Sequence, residues 1–200
     1  MKITIRELEK SYAGQSVLEK LNADIPLGGR YAIMGRSGCG KTTLLRILMD
    51  LEVPDGGEVE GLQELRISAV FQQARLCPAL TALENVLLAA EKSSAAKQQA
   101  ELFLARLGLD EIARKKRVSK LSGGQQQRVA IARALIAPFD LLILDEAFKG
   151  LDTATRADAA VLVDECLQGR TLVAVTHDAA ELPLLKAQLL PLFISGLQGD

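Results

Sequence analysis

The chain has 200 residues, 48% hydrophobic and 24% charged, the make-up of an ordinary globular domain with material for a sizeable core, which excludes intrinsic disorder. Its 24 basic and 25 acidic residues leave a net charge of −1, so the basic excess of a duplex-DNA binder is missing and nucleic acid is not expected as a partner. Cys39, Cys77 and Cys166 are odd in number and widely spaced, which gives neither a disulfide framework nor a metal-ligand pattern and fits a reducing compartment.

The N-terminus, MKITIRELEK, lacks the apolar core of a signal peptide. Residues 2–7 (KITIRE) alternate like a half-buried strand, and residues 30–34 (RYAIM) form a short apolar run ending at Gly35, a buried strand. A helix is expected over 42–49, a turn at Pro54, Gly56 and Gly57, and a strand over 67–71 (ISAVF). From about 81 to 117 Ala, Leu, Glu, Lys and Gln dominate, which predicts a helical region. Gly123 and Gly124 punctuate it before a helix over 125–137. A strand over 140–144 (DLLIL), a helix over 153–167, a strand over 171–176 (TLVAVT) and a helix over 178–186 complete the order. The apolar stretch 182–197 is broken by Pro183, Lys186 and Pro191, and no run reaches the roughly 18 uninterrupted apolar residues that span a bilayer. Non-alternating strands between helices predict an α/β fold with a parallel sheet covered on both faces. Residues 1–200 read as one domain, and about 75–137 as a helical lobe within it.

Residues 35–42 read Gly35-Arg36-Ser37-Gly38-Cys39-Gly40-Lys41-Thr42, the G-x-x-x-x-G-K-[ST] pattern, flanked as it must be by a strand before and a helix after. Glycines let successive N–H groups curl toward phosphate oxygens, and the following helix, which continues through Thr43, adds its positive end. Lys41 is expected to reach the β- and γ-phosphates, and the Thr42 hydroxyl to ligate Mg²⁺. Alone, this loop specifies a nucleotide phosphate binder and no more. Leu141-Leu142-Ile143-Leu144-Asp145-Glu146 is an apolar strand ending in two carboxylates. Asp145 is placed to hold Mg²⁺, and Glu146, one residue beyond, to orient and deprotonate a water, help typically worth ~10²–10⁴-fold. Without the phosphate loop upstream, two acids there would equally well solvate a strand end.

Leu121-Ser122-Gly123-Gly124-Gln125-Gln126-Gln127-Arg128, followed by VAIARAL, puts a second anion-binding helix start between the phosphate loop and the carboxylate strand. With this LSGGQ segment the chain resembles the ATP-binding cassette (ABC) family. The resemblance implies a P-loop NTPase, RecA-like core with an inserted helical lobe and an N-terminal antiparallel β portion. It also implies a head-to-tail pair of cassettes, most simply a homodimer, in which Ser122, Gly123, Gly124 and Gln125 of one subunit serve the ATP of the other. Further positions match the family one at a time. Tyr12 is similar to the aromatic that stacks on adenine, against the alternative of an ordinary strand-end tyrosine. Gln72, after ISAVF, resembles the glutamine that touches Mg²⁺ and the attacking water, although Gln73 stands beside it. Asp152 resembles the aspartate that communicates across the dimer, and it also suits an N-cap. His177, the only histidine, resembles the switch histidine that contacts the γ-phosphate.

Ala147 departs from the family, which usually has proline after the glutamate, and this puts the rigidity behind Glu146 in question. The lack of a membrane segment implies a separate integral membrane permease and a cytoplasmic subunit peripheral to the inner face of the membrane. Only 49 residues separate Gln72 from Ser122, too few for the coiled coil of chromosome-maintenance relatives, and no further domain is expected after His177. AVFQQARLCPALTALENV and DEAFKGLD resemble bacterial importers of nitrate, sulfonate and taurine, which work with a periplasmic or extracellular substrate-binding protein. The segment 74–83 is the expected permease contact. A comparable pattern occurs in lipoprotein-release and macrolide exporters, and a soluble regulator without a transport role is the rival from another class. Cys39 lies inside the phosphate loop near a helix N-terminus. Alkylation of Cys39 is therefore expected to inactivate the protein and bound ATP to protect it. Labelling rates with and without ATP check this, and equal rates refute it.

Overall fold

The computed structural model describes residues 1–191. The first layer is an antiparallel sheet in which β1 (Lys2–Tyr12) pairs with β2 (Gln15–Pro26) on one side and with β4 (Gly56–Glu60) on the other. Ile3 and Ile5 are buried as the alternation requires. The strand runs to Tyr12 instead of ending near Glu7. At Glu7 the backbone turns to φ 46°, and the register with β2 shifts three times between Ile5 and Ser11. Such bulges keep the pairing but change the phase of the side chains, so the alternating pattern fades while the strand continues. Ala13 (φ 49°) and Gly14 (φ 81°) then close a two-residue turn, both left-handed as a tight hairpin demands, and Tyr12 faces Gln15 across it.

The second sheet contains β3 (Arg30–Ile33), β5 (Ile67–Val70), β6 (Leu141–Asp145), β7 (Thr171–Val175) and β8 (Gln188–Leu189), in the order β5-β6-β7-β3-β8 with every pair parallel. All ten residues of β6 and β7 are buried. Leu142, Leu144, Leu172 and Ala174 face a core shared with α5 (Gly123–Ile136) and α6 (Thr153–Leu167). Leu141, Ile143, Val173 and Val175 face a second core shared with the antiparallel sheet and α1 (Lys41–Leu48). Both faces are dry, and this is why these strands read as unbroken apolar runs.

The helical region between β5 and β6 resolves into α2 (Ala82–Leu87), α3 (Ser94–Arg106), α4 (Glu111–Lys115) and α5. The side chains of Thr81, Ser93, Asp110 and Ser122 cap their starts. The Ser122 cap explains why α5 begins two residues before the expected 125. The last predicted helix, 178–186, shortens to α7 (Glu181–Leu185). Thr176 Oγ1 accepts from the Asp178 N–H at 3.0 Å, and Asp178 Oδ1 accepts from the Ala180 N–H at 2.9 Å, local bonds that hold the backbone out of helix. Of the apolar stretch 182–197, residues 192–197 lie outside the described residues, as does the end of the 1–200 domain.

Register positions the site. Ile33 and Asp145 both lie level with Val175, so the chain leaves β3, β6 and β7 side by side at one edge of the sheet, the edge where open α/β sheets bind ligands. The far end is pinned by Asp140, whose carboxylate accepts from the Arg66 N–H (3.0 Å), Nε (2.9 Å) and Nη2 (2.9 Å). The Arg66 side chain, then its backbone N–H, hold the Asp140 carboxyl well below the usual carboxylate range. A depressed carboxyl stabilises the fold above its unfolded value of about 3.9 and loses that contribution as pH falls toward its folded value. Asp140→Asn is therefore expected to lower the thermal midpoint at pH 7, with a difference from the wild type that narrows below pH ~4. Melts across pH check it.

Candidate functional site: a phosphate-loop cleft

The loop between β3 and α1 is shaped by Gly40, the N-cap of α1, at φ 92°. A Cβ there would lie 2.8 Å from the Val17 carbonyl and 2.7 Å from the Leu18 side chain, so no other residue fits. Tyr12, Val17, Ser37, Gly38, Gly40, Lys41, Thr42, Thr43, Gln72, Glu146 and His177 surround one cleft of about 300 Å³. Lys41 is buried, and its ammonium donates to the carbonyls of Gly35 (2.8 Å) and Arg36 (2.7 Å) and lies 3.5 Å from Cys39 Sγ. Gly35, Arg36 and Cys39 thus meet the lysine, which spans the loop, and are not among the residues that line the cleft. Tyr12 is 41% exposed, with Lys10 Nζ 5.4 Å from its ring centroid.

Thr42 Oγ1 donates to Asp145 Oδ2 at 3.2 Å. Burial holds the Asp145 carboxyl above the usual carboxylate range, against the opposing hydrogen bond from Thr42. Thr42, Gln72, Gln73 and Asp145 line an adjoining hollow of about 340 Å³. Among the described residues no three His, Cys, Asp or Glu side chains converge as a metal cage. A hydroxyl, an amide oxygen and one buried carboxylate are instead the hard, sparse oxygen set that suits Mg²⁺, which keeps waters and takes its remaining ligands from phosphates.

Glu146 sits just past β6 in the left-handed region, at φ 48°, and its N–H donates to the Val175 carbonyl at 3.0 Å. Its carboxylate gathers three partners. Gln72 Nε2 donates to Oε2 at 3.1 Å, Lys149 Nζ to Oε2 at 2.8 Å, and His177 Nε2 lies 2.7 Å from Oε1. Burial on its own raises this carboxyl, but the Lys149 ammonium and then His177 outweigh it and hold it below its ordinary value. Of the two adjacent glutamines, the structure brings Gln72 to Glu146 and leaves Gln73 in the adjoining hollow. Ala147 does not leave the turn loose. It is buried, its carbonyl accepts from Gln127 Nε2 at 3.1 Å, and the Lys149 N–H closes back on the Glu146 carbonyl at 3.1 Å. His177 is steadied by the loop bonds of Asp178, which also pairs with Arg156.

Five expected residues stand apart from the cleft within one chain. Ser122 and Gln125 form a capping box, in which Ser122 Oγ accepts from the Gln125 N–H (3.2 Å) and Gln125 Oε1 from the Ser122 N–H (3.0 Å). Gly123 and Gly124 open α5, where first-turn amides have no carbonyl to bond within the helix. Asp152 caps α6, accepting from the Thr155 N–H (3.0 Å) and Thr155 Oγ1 (2.7 Å). Sequence reasoning missed Val17, Gln127 and Lys149. Gln127 also reaches the Phe71 carbonyl at 3.3 Å, and so ties α5 to the residue before Gln72. The i+3 spacing of Lys149 from Glu146 was the available signal for that contact.

A glycine loop that feeds a helix from the carboxyl edge of a parallel sheet is the architecture of the P-loop nucleotide-binding ATPases, and this chain has it. Residues 18–149 match the ABC transporter family, and the chain belongs to that family as an ABC ATPase domain. It is 43% identical over 190 residues to an aliphatic sulfonates import ATP-binding protein of Rhizobium johnstonii, a match covering 90% of this chain and 69% of that protein. It is 38% identical over 203 residues to an Fe(3+) ions import ATP-binding protein of Mesorhizobium japonicum, covering 94% and 56%. Among solved structures, the dimeric ABC transporter cassette MJ0796 superposes with a TM-score of 0.81 at 31% identity, over 99% of this chain and 100% of that one. A post-hydrolysis dimer of the same cassette, bound to ADP and Pi, gives 0.80 at 30%, with the same coverage.

Because burial opposes the charge on Asp145, Asp145→Asn is expected to raise the thermal midpoint of the nucleotide-free protein. The same change is expected to remove most of the extra stabilisation that Mg²⁺ adds to ATP. Melts with ATP in the presence of Mg²⁺ or EDTA check both.

Proposed function

We propose that this chain is the ATP-hydrolysing subunit of a bacterial importer. The single observation that carries the reading is the Glu146 carboxylate, held by Gln72 and His177 at the mouth of the phosphate-loop cleft. The loop amides and Lys41 bind the phosphates, Lys41 by exchanging its two loop carbonyls for phosphate oxygens, and Tyr12 stacks on adenine. Thr42, Asp145 and Gln72 would hold Mg²⁺, which would supply positive charge to offset what develops on the phosphates. Glu146 orients a water and takes its proton, the water oxygen bonds to the γ-phosphorus, and ADP departs with the electron pair of the broken bond. His177 holds the carboxylate from its other side. The work is positioning and charge stabilisation.

The reading extends to a pair of chains. Ser122, Gly123, Gly124 and Gln125 stand apart from their own cleft, and the Gly123 and Gly124 amides, which the capping box does not use, suit a phosphate held by a second subunit. The dimeric form of MJ0796 supports a head-to-tail homodimer. We place Asp152 at that contact and residues 75–137 as a lobe whose 74–83 segment meets an integral membrane permease. No helix among the described residues is long and apolar enough to cross a membrane. We assign the subunit to the inner face of the membrane through that permease, a reading that the import names of its relatives support. The names of the relatives support import, and those at 39–43% identity favour a small anion of the sulfonate kind, delivered by a substrate-binding protein.

Glu146→Gln is expected to keep ATP binding, lower hydrolysis by ~10²–10⁴-fold and trap an ATP-dependent dimer. Phosphate release and size-exclusion chromatography with MgATP check it, and hydrolysis at the wild-type rate refutes the role. Tagged Glu146→Gln protein, extracted gently from its native membranes with MgATP, is expected to carry a multi-span permease. Recovery with soluble proteins alone would overturn the transport reading.

A further inference from the structure

The third partner of Glu146 has no part in the scheme above. A carboxylate offers about four lone-pair sites, and here Gln72, His177 and Lys149 take three. Gln72 and His177 come from the ends of β5 and β7 and line the cleft. Lys149 comes from the turn of Glu146 itself, where its own N–H donates to the Glu146 carbonyl at 3.1 Å, while its side chain stays long and solvent-facing. Two full positioners already grip both oxygens, and a long, solvent-facing lysine adds little orientation to them. What it adds is a charge-assisted bond at 2.8 Å to the oxygen that Gln72 also holds.

We propose that Lys149 is a brake on hydrolysis: its ammonium occupies Glu146 Oε2, and it must leave that oxygen before a water can be held and deprotonated there. The proposal rests on the reading of Glu146 as the group that activates water. The Lys149 side chain is 64% exposed against 14% for Glu146, so the bond is of the weak, displaceable kind. Its release is coupled to the place where a second subunit would close. Lys149 precedes Gly150, whose carbonyl lies 3.3 Å from the position a Cβ on Gly124 would take. The turn that carries the brake therefore abuts the α5 start proposed to face the partner's nucleotide. Closure draws the ammonium away, and an unpaired subunit stays slow.

The test uses the full chain and MgATP, with steady-state kinetics and thermal melts for each variant. Lys149→Met, and Lys149→Ala as a second variant, are expected to raise kcat by about two- to fivefold, the range an exposed ion pair allows, with KM for ATP and the melting midpoint unchanged. Lys149→Arg, which keeps the charge and the donor, is expected to return kcat to the wild-type value. In the nucleotide-free protein the ¹⁵N signal of the Lys149 ammonium, assigned by its loss in Lys149→Arg, is expected to shift in Glu146→Gln. An unchanged or lowered kcat in both neutral variants overturns the brake, as does an ammonium signal that ignores Glu146→Gln. Failure of the underlying reading looks different, because Glu146→Gln would then hydrolyse ATP at the wild-type rate whatever stands at 149.

Discussion

The level ending of β3, β6 and β7 is the constraint from which the rest follows. In-register parallel pairing sets Ile33 and Asp145 opposite Val175, so the three exits share one edge. From those exits the chain delivers the phosphate loop, the Asp145–Glu146 pair and His177, residues separated by more than a hundred positions in sequence. A slip of one residue in any of these pairings would reverse which side chains face which core. With both faces of β6 and β7 buried against different clusters, such a slip would bury nothing correctly. The site thus inherits its geometry from hydrophobic packing, and its polar residues need little organisation of their own.

Polar organisation is partly local and partly tertiary. The starts of α2 to α6 carry capping side chains, and the loop after β7 is held by Thr176 and Asp178. The turn after β6 is held by Gln127 and by its own backbone. Two carboxylates, Asp145 and Glu181, are kept buried against their preference. At Asp145 the fold tolerates that cost beside the phosphate loop, where the Thr42 hydroxyl donates to it.

Much of this was legible in the sequence, for identifiable reasons. The strand–loop–helix around Gly35–Thr42 has a mechanism attached to each residue type, and the apolar runs of β6 and β7 report burial on both faces. Gln72, Glu146 and His177 each lie one or two residues past the end of a strand, a position that sequence marks well. What was not legible lay where pattern and structure separate. β1 continues past Glu7 because bulges scramble its alternation, and α7 starts late because side-chain bonds compete for its backbone. Lys149 gave no apolar or glycine signal. Its meaning depends on the direction of one side chain at a left-handed residue, and composition does not encode that. The effect of Ala147 was left open for a related reason: its turn is held by a tertiary bond from Gln127, which has no local signature.

Gly40 joins two layers that are otherwise distinct. The backbone of the phosphate loop presses on Val17 and Leu18 of β2 with no room for a methyl group, and β2 is the strand that turns back from Tyr12. The hairpin and the loop are therefore riveted together at a point of backbone contact. On the proposed reading, with Tyr12 on the base and the loop amides on the phosphates, the hairpin and the loop together act as a gauge. A ligand is measured by its length between aromatic end and polyphosphate end, so a shortened or a base-less phosphate chain would fill only half of it.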